Sequence, residues 1–421
     1  MILTSLLSHY HNMLYACVPA GLIQTEAPVR ILVIGSGLMG PAAAYNAMVD
    51  DKVECVTVCD LSDDQLGACR ETLRDKPGAD KVAYRRLDMS DAAESIAVMK
   101  DHAAGVAALP RDASMTAFPL ALEAGMPYMD LTRLDIAGIP RDELDDLESR
   151  FSGSRGFVIL GCGLEPGLTE ILGRRLAEQL DRTDELHIQC GGIPTRPEPP
   201  LGYKIVFGGK RLPLRESTAR MVKDGRLVDV PRYSDPEPVS FDGVGECEAW
   251  HEGFFPWLLE LDVLKGLRTG TQKTVRWPGY SHKVTVLREL GLLSEEPVDV
   301  DGVSVIPKHV VDAVLFPRVK MAPEDRDITT FRVTAIGEKD GRPATRSAEM
   351  IDRYDEETGF TSMARTTAFT AAIGARMTAR GDLPHPGRPF VTPEQAIYGD
   401  GFDAMIDELD RMGVRFTMSG S

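Results

Sequence analysis

The apolar run Val29-Arg30-Ile31-Leu32-Val33-Ile34 ends in Gly35-Ser36-Gly37-Leu38-Met39-Gly40, and the helix-forming stretch Pro41 to Met48 follows at once. Three glycines at these offsets, between a buried strand and a helix, each answer a steric demand. Gly35 lets the chain turn sharply, Gly37 has no Cβ to hold the backbone off a pyrophosphate, and Gly40 lets the helix pack on its sheet. Phosphates held by Gly35, Ser36, Gly37, Leu38, Met39 and Gly40 would sit on a helix N-terminus, where free N–H groups and the dipole favour anions. A second apolar run begins at Val53 and closes on Asp60, twenty positions beyond Gly40. With Leu61 beside it, Asp60 is placed to accept hydrogen bonds from an adenine ribose diol. A carboxylate there repels a 2′-phosphate, and Leu61-Ser62-Asp63 offers no Lys or Arg to attract one, so NAD is expected in preference to NADP.

The chain has 421 residues, enough for two or three domains. It carries 47 Lys and Arg against 64 Asp and Glu, a formal net charge of −17. That balance argues against nucleic acid or an anionic membrane as partner and suits a small amine-bearing substrate, although most of the charge is expected on solvated surface. The seven cysteines are odd in number and form no CxxC pair. Several lie in apolar strands, as small buried residues do in a reducing cytoplasm, so neither disulfides nor a metal site is expected. Residues 1–28 lack a basic leader and an apolar run of spanning length, and are expected to form an extended arm.

Strand and helix patterns alternate through residues 29–161. Strands are expected at Lys81 to Leu87, Gly105 to Leu109, Pro127 to Leu131 and Phe157 to Gly161; helices at Ser62 to Arg74, Asp91 to Lys100, Met115 to Ala124 and Arg141 to Phe151. Such alternation predicts an α/β fold with a Rossmann-type, doubly wound parallel sheet. Ligands collect at the carboxyl ends of such strands, which puts Leu109, Pro110, Asp130, Leu131 and Thr132 by the nicotinamide half of the cofactor. Asp88 either touches the adenine or caps a helix before Ser90.

The pattern changes after Gly161. Gly191 to Pro200 is proline-rich and is expected as an ordered loop. Strand-like runs follow at Arg226 to Val230, Gln272 to Trp277, Thr329 to Gly337 and Ala344 to Tyr354, the last two joined by an Asp340-Gly341 turn that signals a hairpin. Residues 162–361 therefore form a second, α+β, mainly antiparallel domain. In the remainder, 362–421, a helix rich in Ala and Thr runs from Ser362 to Arg380, stopped by Gly381, and a further helix is expected from Gly401 to Met412; both should pack back on the first domain.

Four segments carry a resemblance: Cys162-Gly163-Leu164-Glu165-Pro166-Gly167-Leu168, Cys190 to Phe207, Lys273 to Lys283, and Met363 to Gly381. Together they resemble the saccharopine dehydrogenase-like oxidoreductases from about residue 29 to about 412, and within that family the lysine 6-dehydrogenase branch. The resemblance implies a nucleotide domain completed by C-terminal segments, an α+β domain forming the substrate pocket and much of a homodimer contact, and hydride transfer from a carbon–nitrogen bond of an amine to NAD or NADP. Two departures stand out. Glu165 occupies a position where the lysine enzymes carry a small apolar residue and the saccharopine and carboxynorspermidine enzymes an acid, and His251 to Trp257 lacks the expected Ser/Gly/Thr-rich pattern.

Hydride leaves carbon only when the nitrogen lone pair is free, so the site needs a base for an ammonium substrate. Glu165 and Asp130 are the candidates for holding the ammonium, and Glu165 for taking its proton; alternatively Glu165 caps the helix that begins near Pro166. His282 is a candidate relay. For the substrate carboxylate the candidates are Arg196, Arg276 and Arg365, with Tyr203, Tyr280 and His251 orienting the substrate, although each arginine could equally pair with a nearby acid and each histidine could be structural. Three readings follow: oxidative deamination of the terminal amine of lysine or a related diamino acid; an opine-type reductase acting on a secondary amine; or a protein that binds NAD without chemistry.

Overall fold

Strands covered on both faces carry apolar residues at successive rather than alternate positions, and Ile31, Leu32, Val33, Val56, Val58 and Val106 have no exposed surface. The computed structural model describes residues 29–132, 141–206 and 210–421. The arm expected over 1–28 and the last residue of the Cys190 to Phe207 segment lie outside the described residues. Along the first domain come β1 (Val29–Ile34), α1 (Gly40–Met48), β2 (Val53–Asp60), α2 (Asp63–Leu73), β3 (Val82–Arg86), α3 (Ala92–Lys100), β4 (Ala104–Ala107), α4 (Arg111–Ala124), β5 (Tyr128–Asp130), α5 (Arg141–Phe151) and β6 (Val158–Leu160). Every pair in this sheet is parallel, in the order β3-β2-β1-β4-β5-β6, so the direction of winding switches between β1 and β4. The crevice at such a switch is where a dinucleotide lies.

After α6 (Leu168–Ala177) the chain builds a second sheet from β7 (Arg182–Pro194), β8 (Ala219–Lys223), β9 (Arg226–Val230), β10 (Glu237–Phe241), β11 (Gly245–His251) and β12 (Thr269–Arg276). Helix α7 (Tyr280–Glu289), the small ribbon β13 (Val298–Val300) and β14 (Val303–Val305), and α8 (Pro307–Val319) interrupt it before β15 (Asp327–Lys339) and β16 (Arg342–Arg353). The sheet is mixed and mostly antiparallel: β12 pairs with β7 in parallel, and β7 with β15 and β15 with β16 antiparallel. At the β15–β16 hairpin Asp340 and Gly341 have φ of 51° and 71°. Two successive positive values suit the primed turn that matches strand twist, as the Asp-Gly signal predicted.

The loop predicted to start at Gly191 starts later, because β7 continues through Gly191, Gly192 and Ile193 to Pro194 and pairs throughout with β15. These glycines serve close packing. A Cβ on Gly191 would overlap the Val275 carbonyl, and one on Gly192 would overlap the Met363 side chain. Exposed chain begins only at Thr195.

Helix α9 (Ser362–Arg380) spans the residues expected and is buried on nearly every side, packing on α1, β4, β5 and β15. Small residues permit that approach: Ala368, Ala371, Ala372 and Ala375 have no exposed surface, and Gly374 lies against Met129 and Cys162. Its buried hydroxyls donate back to carbonyls one turn earlier, Thr366 to Ser362 at 2.9 Å and Thr370 to Thr366 at 2.8 Å, so no polar atom of theirs is stranded. The chain then adds β17 (Phe390–Val391) beside β6, α10 (Pro393–Ala396), α11 (Asp400–Arg411) and β18 (Thr417–Gly420) beside β16. Thus the C-terminal segment contributes an edge strand to each sheet.

A charged clasp holds α1, α9 and α11 together. Arg376 reaches Asp50 at 2.5 Å, Glu408 at 2.6 Å and Asn46 at 3.0 Å, and Arg380 joins the same two acids. Burial opposes ionisation of Asp50, but the Lys52 N–H and Arg376 outweigh it and hold its carboxyl below the ordinary 3.8. A depressed carboxylate stabilises the fold above its unfolded-state pKa, and that contribution fades as pH falls through the folded value. We expect Arg376→Ala to cost about 3 to 5 kcal/mol, because it leaves buried acids short of a cation. Urea unfolding at neutral pH measures it; a loss below about 1 kcal/mol would show the clasp to be dispensable.

Candidate active site

Beyond β6 the chain folds back on itself. Cys162 N–H donates to the Asp130 carbonyl at 2.7 Å, Gly163 N–H to Pro166 at 3.0 Å, and Leu168 N–H to Gly163 at 3.0 Å. Gly167, at φ 134°, presses on Gly163 so closely that a Cβ would overlap the Gly163 carbonyl. The turn presents Glu165, half-buried, at the carboxyl ends of β5 and β6, and starts α6 immediately afterwards. The acid that caps α6 is Glu170: it accepts the Gly167 N–H at 2.6 Å and the Thr169 hydroxyl at 2.7 Å. The capping role weighed for Glu165 therefore belongs to a neighbour that the sequence reading passed over.

Glu165 meets the second sheet through Gln272 of β12, whose amide Nε2 donates at 3.0 Å to Glu165 and at 3.0 Å to Glu170. Burial, then the charge of Glu170, pushes the Glu165 carboxyl up to about 8. Burial also raises Glu170, to about 7, against the pull of its donors. Cys190 of β7 lies beside the pair, its thiol driven well up by burial and by both acids.

Alternation along β12 puts Gln272, Thr274 and Arg276 on one face. Arg276 is buried, with its guanidinium 5.2 Å from the Tyr203 ring and 5.8 Å from the Tyr280 ring. One of its N–H groups donates to the Val275 carbonyl at 2.8 Å, while Nε has no partner. The Tyr203 hydroxyl and the Trp250 indole N–H are likewise buried without partners, and Trp250 stacks on Tyr280 with centroids 5.9 Å apart. Buried polar groups are rarely left unpaired, so a cluster of unspent donors marks a place for a polar ligand. Arg276, Tyr203 and Tyr280, three of the expected substrate residues, thus come together on the sheet face that carries Gln272.

At the other end of the crevice Gly35 has φ 96°, and a Cβ there would overlap the Ala108 carbonyl at the end of β4. Gly37 faces open space, with nothing within 4 Å of where its Cβ would stand. This is the room a diphosphate needs. Asp60 accepts the Ser36 N–H at 2.7 Å, the Ser36 hydroxyl at 2.8 Å and the Ser62 N–H at 2.9 Å, which ties the glycine turn to the end of β2. Leu38 and Leu61 are each 55% exposed beside it, and Gly40, at the start of α1, backs on the Gly35 carbonyl. These residues fit a nicotinamide dinucleotide.

Other expected residues are placed differently. Asp130 is fully buried and accepts hydrogen bonds from the Ser114 hydroxyl and, at 2.7 Å, from the Thr132 N–H; burial raises it to about 7. The Thr132 hydroxyl in turn donates to the Leu109 carbonyl at 2.8 Å, so this group locks the ends of β4 and β5. Pro110 caps the start of α4, and the Leu131 side chain reaches the Gly163 turn. Asp88 forms a turn with Ser90, at 2.9 Å, while the cap of α3 is Asp91. Arg365 meets the Asp352 carboxylate and the Met412 carbonyl, at 3.4 and 3.0 Å, although its Nε, like that of Arg276, has no partner. Arg196 and His282 are exposed, the first beyond β7 and the second on α7. His251 pairs with Lys273, whose side chain lies on the face of β12 opposite Gln272; burial and then Lys273 lower its pKa. Glu170 carried one sequence signal, an acid at the third helical position after a glycine turn. Gln272 carried none, since a lone amide in a strand has no pattern.

Among the described residues no helix is long and apolar enough to cross a membrane, and no group of three His, Cys, Asp or Glu could hold a metal ion. Residues 163–414 match the saccharopine dehydrogenase C-terminal domain, more than half of the chain. Carboxyaminopropylagmatine dehydrogenase of Synechocystis sp. is 21% identical over 404 residues, which cover 90% of this chain and 96% of that one. Carboxynorspermidine synthase of Vibrio alginolyticus is 21% identical over 428 residues, covering 91% and 98%. The apo saccharopine dehydrogenase (L-Glu forming) of Saccharomyces cerevisiae shares the fold with a TM-score of 0.75 at 17% identity, covering 93% of this chain and 100% of that one. With a dinucleotide crevice at one end of the cleft and an acid pair and a guanidinium without a carboxylate partner at the other, the chain belongs to the saccharopine dehydrogenase family and is an oxidoreductase.

Proposed function

We propose that the protein catalyses nicotinamide-dependent hydride transfer at the carbon–nitrogen bond of a carboxylated secondary amine, as an opine-type reductase does. The observation that carries the reading is Glu165, a raised carboxyl presented between the nucleotide sheet and the Arg276 face. Reduction of a C=N bond adds hydride to carbon and a proton to nitrogen, and the bound nicotinamide supplies the hydride. Glu165, protonated at neutral pH, donates the proton to nitrogen; in the oxidative direction its carboxylate takes that proton back. Arg276 holds the substrate carboxylate through its free Nε, and the Tyr203 and Tyr280 rings fix the plane of the guanidinium.

Among the described residues Arg276, unlike Arg365, has no carboxylate partner, and one such arginine suits one carboxylate. The names of two relatives likewise specify an amine bearing a carboxy group, which supports the reading. A single guanidinium also suits lysine, so deamination of a terminal amine, the lysine 6-dehydrogenase-like activity, stands as the second reading. NAD is the coenzyme we assign, from Asp60 at the diol position. Arg86, whose Nε donates to the Leu61 carbonyl at 3.1 Å, is the guanidinium at that edge that a 2′-phosphate would recruit.

Four outcomes are expected. Asp60→Ala should raise KM for NAD roughly tenfold or more and leave KM for the amine within about twofold. Steady-state rates with both coenzymes check this, and equal use of NADP by the parent counts against NAD. Second, nicotinamide oxidation should require an amine and a carbonyl acid together; turnover of lysine or a diamino acid alone would select the second reading. In the parent, reductive turnover should hold below pH 8 and fall above it, and oxidation should rise through the same range, because Glu165 titrates at about 8. Glu165→Gln should lower turnover by roughly 10²-fold or more and erase that inflection. An unchanged pH–rate profile removes Glu165 from the chemistry.

A further inference from the structure

Two carboxyls share one amide in this cleft, and their surroundings differ. Glu170 has three donors: the Gly167 N–H, the Thr169 hydroxyl and the Gln272 amide, at 2.6, 2.7 and 3.0 Å. Glu165 has the other Gln272 N–H, at 3.0 Å, and the Cys190 thiol beside it. Hydrogen bonds to a carboxylate favour the charged form, and two like charges in a site removed from water disfavour each other. The partner with more donors, Glu170, therefore takes the charge.

We propose, on the reading that Glu165 exchanges a proton with the substrate nitrogen, that Glu165 and Glu170 form a coupled pair holding one proton between them, with Glu170 the positioning residue that keeps it on Glu165. Glu170 never touches substrate. Its fixed carboxylate, locked by the helix start, acts through space to make Glu165 an acid at neutral pH, against the Gln272 amide, whose N–H favours the charged form.

The groups facing the pair bear this out from every side. Arg276, on β12, is a cation that favours ionisation of Glu165, and Glu252, beyond β11, is an acid that opposes it. Glu252 is already paired with Arg215 and Arg232, at 2.7 and 2.5 Å, which mutes its effect. Glu394, on α10, is within electrostatic reach of Glu170; burial raises it to about 8, which favours its neutral form at pH 7. Cys190 contributes only a neutral thiol, since its own pKa is raised further still. Glu170 is thus, among these neighbours of Glu165, the acid with the most donors to hold a negative charge and with no cation paired to it. The Gln272 Oε1 atom has no partner, consistent with an amide oriented so that both of its N–H groups serve carboxyls.

The test reads protonation without turnover. Difference infrared spectroscopy of the apo protein across pH should show a protonated carboxyl at pH 7 that is absent in Glu165→Gln. Its midpoint should lie near 8 in the parent. In Glu170→Gln the midpoint should fall by about one unit, a roughly tenfold loss of proton affinity. In Gln272→Met, which leaves the cap on α6 intact, it should rise, because the carboxylate loses its donor. A role confined to capping would lower thermal stability in Glu170→Gln and leave the midpoint where it was. A folded Glu170→Gln with an unmoved midpoint overturns the proposal; should that variant not fold, an unmoved or lowered midpoint in Gln272→Met overturns it instead. No carboxyl assignable to Glu165 at pH 7 overturns it outright. Coupled titration in a protein inactive on every amine would sink the functional reading and leave the pair standing.

Discussion

The seven residues from Gly161 to Gly167 hold the two halves of this molecule in register. They begin where β6 leaves the parallel sheet, are pinned to β5 by the Cys162 bond to Asp130, and end at the first turn of α6. Gly161 and Gly167 both adopt positive φ, and the side chain of either would collide with the turn itself, with Pro166 or with Gly163. A turn this tight leaves its fourth and fifth residues no choice of position. Glu165 therefore projects toward Gln272 as a consequence of backbone geometry, before any attraction between side chains is counted. Orientation fixed by the main chain is what a proton-transfer group requires, since a small misplacement costs more than a weak interaction can restore.

The second sheet answers that geometry through alternation. On β12, Gln272 and Arg276 share one face while Thr271 and Lys273 occupy the other, with His187 and Gln189 of the neighbouring β7. A slip of one residue in the β7–β12 register would exchange the two faces and bring Lys273 to the acids. Register is fixed from both sides: Gly191 lets β7 close on Val275, and β15 pairs along nearly the whole of β7. The buried helix α9 then sits between the sheets, and the Asp327 carboxylate of β15 accepts its first N–H groups, from Ser362 and Met363, at 2.8 and 2.9 Å. Chemistry at the cleft rests on packing that is apolar and close.

Legibility in the sequence tracked how local the physics was. The glycine turn with Asp60, the Asp340-Gly341 hairpin and the extent of α9 are each dictated by a few adjacent residues, and the fold class followed from them. What escaped depends on partners far apart in the chain. β7 was hidden because Gly191 and Gly192 signal a turn when read locally, and only the approach of Val275 and Met363 explains them. Glu170 and Gln272 are 102 residues apart, and neither is distinctive alone. Among the arginines the sequence could name three candidates but not tell which would be left free, since that is decided by where acids lie in space.

The allocation of those arginines shows how function survives in so acidic a chain. Every guanidinium that can reach a carboxylate with its planar fork tends to be claimed by one. Arg365 meets Asp352, Arg376 meets Asp50 and Glu408, and Arg232 meets Glu252. Arg276 escapes because its immediate surroundings are the faces of Tyr203 and Tyr280, which attract a cation without saturating its N–H groups. Glu165 is within its electrostatic reach but is turned to Gln272, so the acid is not neutralised and the cation not consumed. Aromatic walls around Arg276 and the Gln272 amide on Glu165 thus leave both groups available to a substrate carrying an amine and a carboxylate.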